Sequence, residues 1–462
     1  MKRRSFLKLT GATGIGTSMI LSHVVANSRY TKTGFITEEK RDIPIIGEYD
    51  VIVCGGGPAG VSAAIESGRN GAKTLLIETN GCLGGVWTSG LLTWILHHEN
   101  KVGFMREIEF ELDKRGAISH DIDTGGPIAF NPEIMKLLLE DLCMDANVDV
   151  LFHTRVVASV KGDNNRLSHI VTESKSGREA WHGNVFIDTT GDGDLAALSG
   201  CGFDYGRKSD GATQPFSLLG IVSGIDFDEV KDFARWSGVG SAQSKQNLFE
   251  QIKKGGNIPS YMKPSLHPIS KGLFKLMCNQ EYGFSPMNSR DVTKATIQAR
   301  KEVHNVVNGL RSTGGVWENI KLIATGEQIG TREGRRIHGL YTVTVDDMIK
   351  GSRFDDAVCR VNGSVNVHSV SMDDMKSDKF GSDYLEGQKT QPYDIPIRAL
   401  IAKDVGGLLM AGRCISGDFF AHSNYRNTGN AVPMGQAAGR LAAYSSKRNI
   451  PPQEVKFSSL GL

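Results

Sequence analysis

The stretch Tyr49-Asp-Val-Ile-Val-Cys-Gly55-Gly-Gly57-Pro-Ala-Gly60-Val-Ser-Ala-Ala-Ile65 leaves the chain few choices of fold. Val51 to Cys54 is a short apolar run of β-branched type, which predicts a buried strand of a parallel sheet. Gly55 permits a tight turn, and Gly57 lets backbone N–H groups approach a pyrophosphate. Gly60 allows a helix to pack closely on the strand. Pro58 and Ala59 open that helix, which is rich in small residues, runs to about Arg69 and turns its positive end toward the phosphates. A second strand, Lys73 to Ile77, ends in Glu78, placed where a carboxylate accepts hydrogen bonds from the ribose of an adenosine. Strand, glycines, helix, strand and acid in this order predict a dinucleotide-binding α/β unit.

The whole chain has 462 residues, enough for two packed domains, and its 55 glycines predict many tight turns. Its net charge of +2, from 53 basic and 51 acidic residues, excludes a nucleic-acid partner. The seven cysteines are dispersed, odd in number and lack a C-x-x-C pair. They argue against a disulfide framework, a metal site, a cysteine-held iron–sulfur cluster or a redox dithiol. Cys54 and Cys143 lie in apolar runs and are expected in the core.

Residues 1–26 read as an address. Arg3-Arg4 and Phe6-Leu7-Lys8 precede a weakly apolar stretch ending in Val24-Val25-Ala26. This resembles a twin-arginine export signal, implying the export machinery as partner and a periplasmic or otherwise extracytoplasmic location in a bacterium. The alternative is an uncleaved anchor, for which the segment is short and rich in Gly, Thr and Ser. Lys2, Arg3, Arg4 and Lys8 lie here, so a chain cut after Ala26 has two more acidic than basic residues. Residues 27–46 read as a polar linker, and no other stretch is apolar enough to span a membrane in the mature chain.

The cradle alone does not choose between FAD and NAD; the sequence downstream does. Gly81-Cys-Leu-Gly84-Gly85-Val-Trp-Thr-Ser-Gly90 is a second glycine-rich turn. Asn131-Pro132 starts a helix with Ile134, Leu137, Leu138 and Leu142 as its apolar face, followed by strands at 148–152 and 154–160. Asn184-Val-Phe-Ile-Asp-Thr-Thr-Gly191-Asp192-Gly is a strand and polar turn. Gly407-Leu-Leu-Met-Ala-Gly412-Arg413-Cys-Ile-Ser-Gly-Asp418 is another, and a last helix starts with Asn430-Ala-Val-Pro-Met-Gly435-Gln436.

Together these segments resemble the FAD-dependent oxidoreductase family of the glutathione-reductase-like flavoprotein superfamily, over nearly all of residues 47–445. The resemblance implies an α/β fold. A Rossmann-like, three-layer FAD-binding domain in two pieces, 47–205 and 385–462, would carry an inserted α+β substrate domain, 206–384. It implies that Gly84 and Gly85 follow the ribitol and pyrophosphate, and that the backbone near Val156 meets the adenine. Gly191 and Asp192 would pass beside the cofactor. Gly412, Arg413 and Asp418 would form the second flavin motif, and Gly435 and Gln436 would lie on a helix aimed at the flavin pyrimidine ring, where its positive end stabilises a reduced flavin. No second strand–glycine–helix unit is present, which disfavours an NAD-linked dehydrogenase.

Within 206–384, residues 216–222 read as a strand, and Val292 to Asn308 as a helix with Ser289 as cap and Gly309 as stop. Residues 354–384 read as an irregular surface excursion. In Gln328-Ile-Gly-Thr-Arg332-Glu333-Gly-Arg335-Arg336, Arg332 holds an anion, or else Arg332 or Arg336 pairs with Glu333 as an internal knot. His422 and Arg426 lie between the second flavin motif and the last helix. There His422 serves as acid/base and Arg426 orients substrate, or His422 is an ordinary loop histidine. His97 and His98 are weaker candidates, better read as satisfied structural histidines. The expectation is hydride transfer between a small polar organic substrate and flavin N5, with a quinone, a cytochrome or oxygen as electron partner. The rival from another class is a flavin electron carrier without substrate chemistry of its own.

Overall fold

The strand that opens the glycine motif runs over Ile45–Cys54, and its last four residues are fully buried. The computed structural model describes residues 38–119, 128–236, 239–362 and 365–461, so the predicted export segment lies outside the described residues. The chain divides into Met1–Asp42 and Ile43–Leu462, and the second unit carries every helix and strand described.

Val148–Leu151, Thr74–Ile77, Ile45–Cys54 and Gly177–Asp188 lie side by side in that order, all parallel. Leu408–Met410 adds in parallel to the C-terminal end of Gly177–Asp188. Leu167–Ser174 and Arg155–Lys161 continue from that strand's other end as an antiparallel meander. Parallel pairing brings the C-terminal ends of these five strands to one edge, where ligands of open α/β sheets bind. The strand Leu408–Met410 comes from far along the sequence, so the sheet is assembled from discontinuous segments.

The helix Pro58–Arg69 packs along Thr428–Arg448, through small residues on both. A Cβ on Gly435 would collide with the Ala59 carbonyl, and one on Gly439 with that of Ala63. Ser62 Oγ donates to the Val432 carbonyl (2.7 Å) across the same crossing. The helix Pro132–Asp145 is capped as expected, its Asn131 side chain accepting from Glu133 N. Its buried face is shifted, however. Met135 and Leu139 are inside whereas Leu137 is 51% exposed, because the helix is covered by neighbours on one side only.

A second, antiparallel sheet has the order Ser265–Ser270, Leu273–Met277, Gly220–Ser223, Lys321–Thr325. One face of it (Val222, Leu266, Phe274, Leu276) packs on the helix Ser289–Ser312 through Val303, Val306 and Leu310. The fold is thus mixed α/β, with a parallel nucleotide-type sheet and an antiparallel second sheet.

Three local expectations are corrected. The long helix is capped by Asn288, not Ser289, and Gly309 lies inside it, because a side chain there would strike the backbone of Gly255. The strand expected at 216–222 is regular only over Gly220–Ser223, while Phe216 and Ser217 make single bridges to Glu281 and Gly330. Finally, 354–384 is no surface excursion. Ala357–Val361 pairs with Tyr393–Pro396, and Val361, Val365 and Val367 join the main core, so alternating valines outweigh the acidic composition around them.

Candidate functional site

At the edge of the parallel sheet the backbone itself forms a cradle. Gly55 has φ +107°, and a Cβ on it would lie 2.5 Å from the Thr189 carbonyl oxygen. A Cβ on Gly60 would collide with the carbonyl of Gly55. Gly57, by contrast, has open space where its Cβ would be, and no side chain caps the helix that begins at Pro58. Ala59 sits in its first turn. Glu78, 6% exposed, accepts from Gly56 N (2.6 Å) and Asn80 N (2.7 Å), so the acid after the second strand braces the turn. Thr154 N donates to the Glu78 carbonyl (3.1 Å), placing Val156, at the start of the meander, close by.

The second glycine turn lies against the first. Gly84 (φ +103°) donates to the Gly56 carbonyl (2.8 Å), and a Cβ on Gly85 would sit 3.0 Å from Gly57 Cα. Gly412 (φ +85°) completes the wall, since a Cβ there would be 3.0 Å from that of Ala59 and 3.8 Å from that of Ala431. The first turns of the Pro58 and Thr428 helices therefore converge on Gly412. The last helix also begins without a side-chain cap or first-turn acid, and the Thr428 hydroxyl is buried without a partner. Two uncapped helix N-termini around glycine backbone fit a dinucleotide, whose anionic groups complement both.

Arg413 ties this wall together. It pairs with Asp192 (2.9 Å) and donates to Thr331 Oγ1 (2.7 Å), under Gly191, where a Cβ would strike the guanidinium. Burial raises the Asp192 carboxyl, and Arg413 opposes that rise. Asp418 spends its carboxylate on backbone: Ala421 N (2.8 Å) as cap of the helix Phe419–Tyr425, and Val345 N (2.6 Å). The Gln436 amide donates to Glu66 (3.1 Å) on the neighbouring helix.

Beyond the wall the materials change. His422 is fully buried, and neither ring nitrogen has a partner among the described residues. Burial, with Arg336, Arg426 and Arg413 nearby, holds its pKa well below the ordinary 6.5, so the ring is neutral. Arg426, one helical turn on, donates to Gln214 Oε1 (3.1 Å) and the Asn366 carbonyl (3.1 Å), and its Nε is buried without a partner. Arg332 donates to the Pro215 carbonyl (2.7 Å) and Ser217 Oγ (3.0 Å) and has no carboxylate partner among the described residues. Burial lowers the pKa of Arg332 to about 10 and that of Arg426 to about 9, the latter pressed further by Arg332.

The knot is made by Arg336, not Arg332. Arg336 pairs with the fully buried Glu333 and donates to the carbonyls of Gly417 (3.0 Å) and Gly206 (2.8 Å). Arg336 lies on the two-residue strand Arg336–Ile337, paired with Phe203–Asp204, whereas Arg332 precedes it and reaches Pro215 and Ser217. Gln214, His368 and Asn366 were not anticipated. Gln214 Oε1 accepts from both Arg426 and His368 N (3.2 Å), and His368 Nδ1 meets Gln280 (2.8 Å). Their signal is weak, because polar residues in irregular segments carry no period.

His98 is a satisfied core residue, with Nδ1 2.8 Å from buried Glu109. His97, at φ +61°, stands by the last helix, 3.3 Å from Asn430 Nδ2, its pKa lowered to about 4 by burial. No helix among the described residues is long and apolar enough to cross a membrane.

The chain resembles dihydrolipoyl dehydrogenase of Trypanosoma brucei brucei at 50% identity over 46 residues, 10% of each chain. It resembles nicotine dehydrogenase of Pseudomonas putida at 30% over 166 residues, which is 31% of this chain and 33% of that one. The match thus spans about a third or less of these curated relatives. A solved structure, the geranylgeranyl bacteriochlorophyll reductase-like protein of Thermoplasma acidophilum, aligns over 90% of this chain and 83% of its own, at 14% identity and a TM-score of 0.48. The family model for FAD dependent oxidoreductases matches residues 50–461, from the first buried strand to beyond the last helix, and the chain belongs to that family.

Proposed function

We propose that this FAD-dependent oxidoreductase moves a hydride between a small polar organic substrate and flavin N5, with His422 exchanging the accompanying proton. The observation that carries this reading is His422 itself, fully buried with both ring nitrogens uncommitted. Leaving such a ring without partners is costly unless a ligand supplies one. FAD, when bound, supplies the two-electron chemistry; the glycines of the cradle and the two helix N-termini would hold it. Arg426 and Arg332 would orient the substrate, each having guanidinium N–H groups beyond those given to backbone and amide oxygens. The neutral ring of His422 is in the form that accepts a proton, and a bound anion would raise its affinity for one.

His422→Ala is expected to keep its visible flavin spectrum and to slow anaerobic flavin bleaching by substrate about 100-fold or more. An unchanged rate would remove the acid/base role. The reoxidant is proposed as a quinone, a cytochrome or oxygen. We also propose export of the folded, flavin-loaded chain through the Arg3-Arg4 signal. Replacing both arginines by lysine should retain the protein in the cytoplasmic fraction.

A further inference from the structure

The antiparallel sheet has a second face, turned toward the segment after the second glycine turn. Leu219, Ile221 and Ile269 pack there on Leu91. In the same cross-strand row, between Ile221 and His267, stands Lys275. It is 1% exposed, and no carboxylate lies within ion-pair distance among the described residues. Its ammonium sits 5.3 Å from the ring centre of Trp94. Arg235 brings a second cation to the same ring (5.9 Å), with Nε and Nη1 buried and without partners. Burial, with Arg235 and then Lys245 beside it, presses the pKa of Lys275 down to about 7. Burial likewise lowers Lys245 to about 8.

Lys275 on this sheet face, with Arg235 and Lys245 beside it and no carboxylate in ion-pair range among the described residues, opposes folding, and a methionine at 275 would fill similar space without that cost. A bound anion would offset it. The place is connected to the cofactor end. Trp94 precedes Leu96 by two residues, and the Leu96 carbonyl accepts from Gly429 N (2.9 Å) in the first turn of the last helix. On the other side, Tyr261 is buried within reach of both Arg235 and Arg332.

We propose that Lys275 and Arg235 form an anion subsite beside Trp94 that receives a carboxylate of the substrate, which is therefore an organic acid. This rests on the reading of the His422 and Arg426 side as the substrate side. The subsite needs both cations, so removing either should weaken it.

The test is binding of benzoate to the FAD-loaded protein, followed by tryptophan fluorescence and thermal shift, against benzamide as the uncharged counterpart and chloride and phosphate as inorganic anions. Benzoate should bind saturably and benzamide should not. Lys275→Met should weaken benzoate about tenfold or more while keeping the flavin bands and raising the melting temperature of the benzoate-free protein. Arg235→Leu should act in the same direction, should the first variant fold poorly. Equal binding of benzoate and benzamide, or unaltered benzoate binding in both variants, would overturn the subsite. Chloride or phosphate binding as well as benzoate would overturn its assignment to a substrate carboxylate. None of these readouts involves the proton step at His422, so failure here and failure of the bleaching experiment are separate results.

Discussion

The phosphate end of the site is shaped by glycine backbone, whereas the substrate end is shaped by long cationic side chains. At Gly55, Gly60 and Gly412 an added methyl meets another atom, so the cradle is defined by what it lacks. Lys275 is buried and Arg332 and Arg426 are half-buried, all with few partners among the described residues, so that end is defined by what it is ready to receive. The first end is held by close backbone packing and leaves two uncapped helix N-termini to meet anionic groups. The second stores unfavourable desolvation that a ligand can relieve, as expected where binding must be selective.

The largest effect should come from the one cation at the substrate end that is fully paired. Arg336→Met leaves Glu333 charged, buried and without its partner, and should lower stability by about 3–5 kcal/mol in chemical denaturation. Arg332→Met removes a cation that has no carboxylate to orphan, and should change stability far less. If the two variants were equally damaging, the division between paired and ready cations would fail. Next comes the cradle. Gly60→Ala forces the helix away from the turn at a cost of about 1–3 kcal/mol, and the purified protein should have lost most of its flavin.

How far the sequence could be read follows the same division. The cradle's strand, turn and helix were legible because they follow one another within a few residues, whereas the contacts of Gly55 with Thr189, Gly85 with Gly57 and Gly412 with Ala59 are made only by the fold. Gly435 shows the limit of such reading. Its motif points to the cofactor, yet its missing side chain is what lets two helices touch at Ala59. The substrate end was only partly legible. Nothing local distinguishes Arg332 from Arg336; the short strand at 336–337 does, by pairing with 203–204. Lys275 is brought beside His267 by ladder register and near Trp94 by packing between sheets. Its one local mark is a lone lysine in Leu273-Phe-Lys-Leu-Met277.

A smaller effect should appear with pH. His422 and His368 are both held below the ordinary histidine pKa of 6.5, chiefly by burial. The unfolded chain therefore takes up protons that the folded one refuses. Stability is complete above 6.5 and is lost as pH falls below it, by roughly 1.4 kcal/mol per pH unit for each ring. His422→Asn should remove one ring's share of that slope between pH 6.5 and 5, read from denaturation midpoints. A slope equal to that of the wild type would mean that His422 is protonated in the fold.

The smallest effect separates a cradle built of backbone from one that also uses side chains. Gln436 gives its amide to Glu66, which keeps a second partner in Arg440 at 2.7 Å. Gln436→Ala removes one hydrogen bond to a charged group that stays paired and a long one from Phe104 N (3.5 Å), so the loss should be within about 1 kcal/mol. Flavin content after purification should be unchanged, because that side chain spends its amide on Glu66. A variant that folds normally but loses flavin would mean that Gln436 contacts the cofactor after all. The cradle would then depend on a side chain as well as on glycine backbone, and the contrast between the two ends would be one of degree.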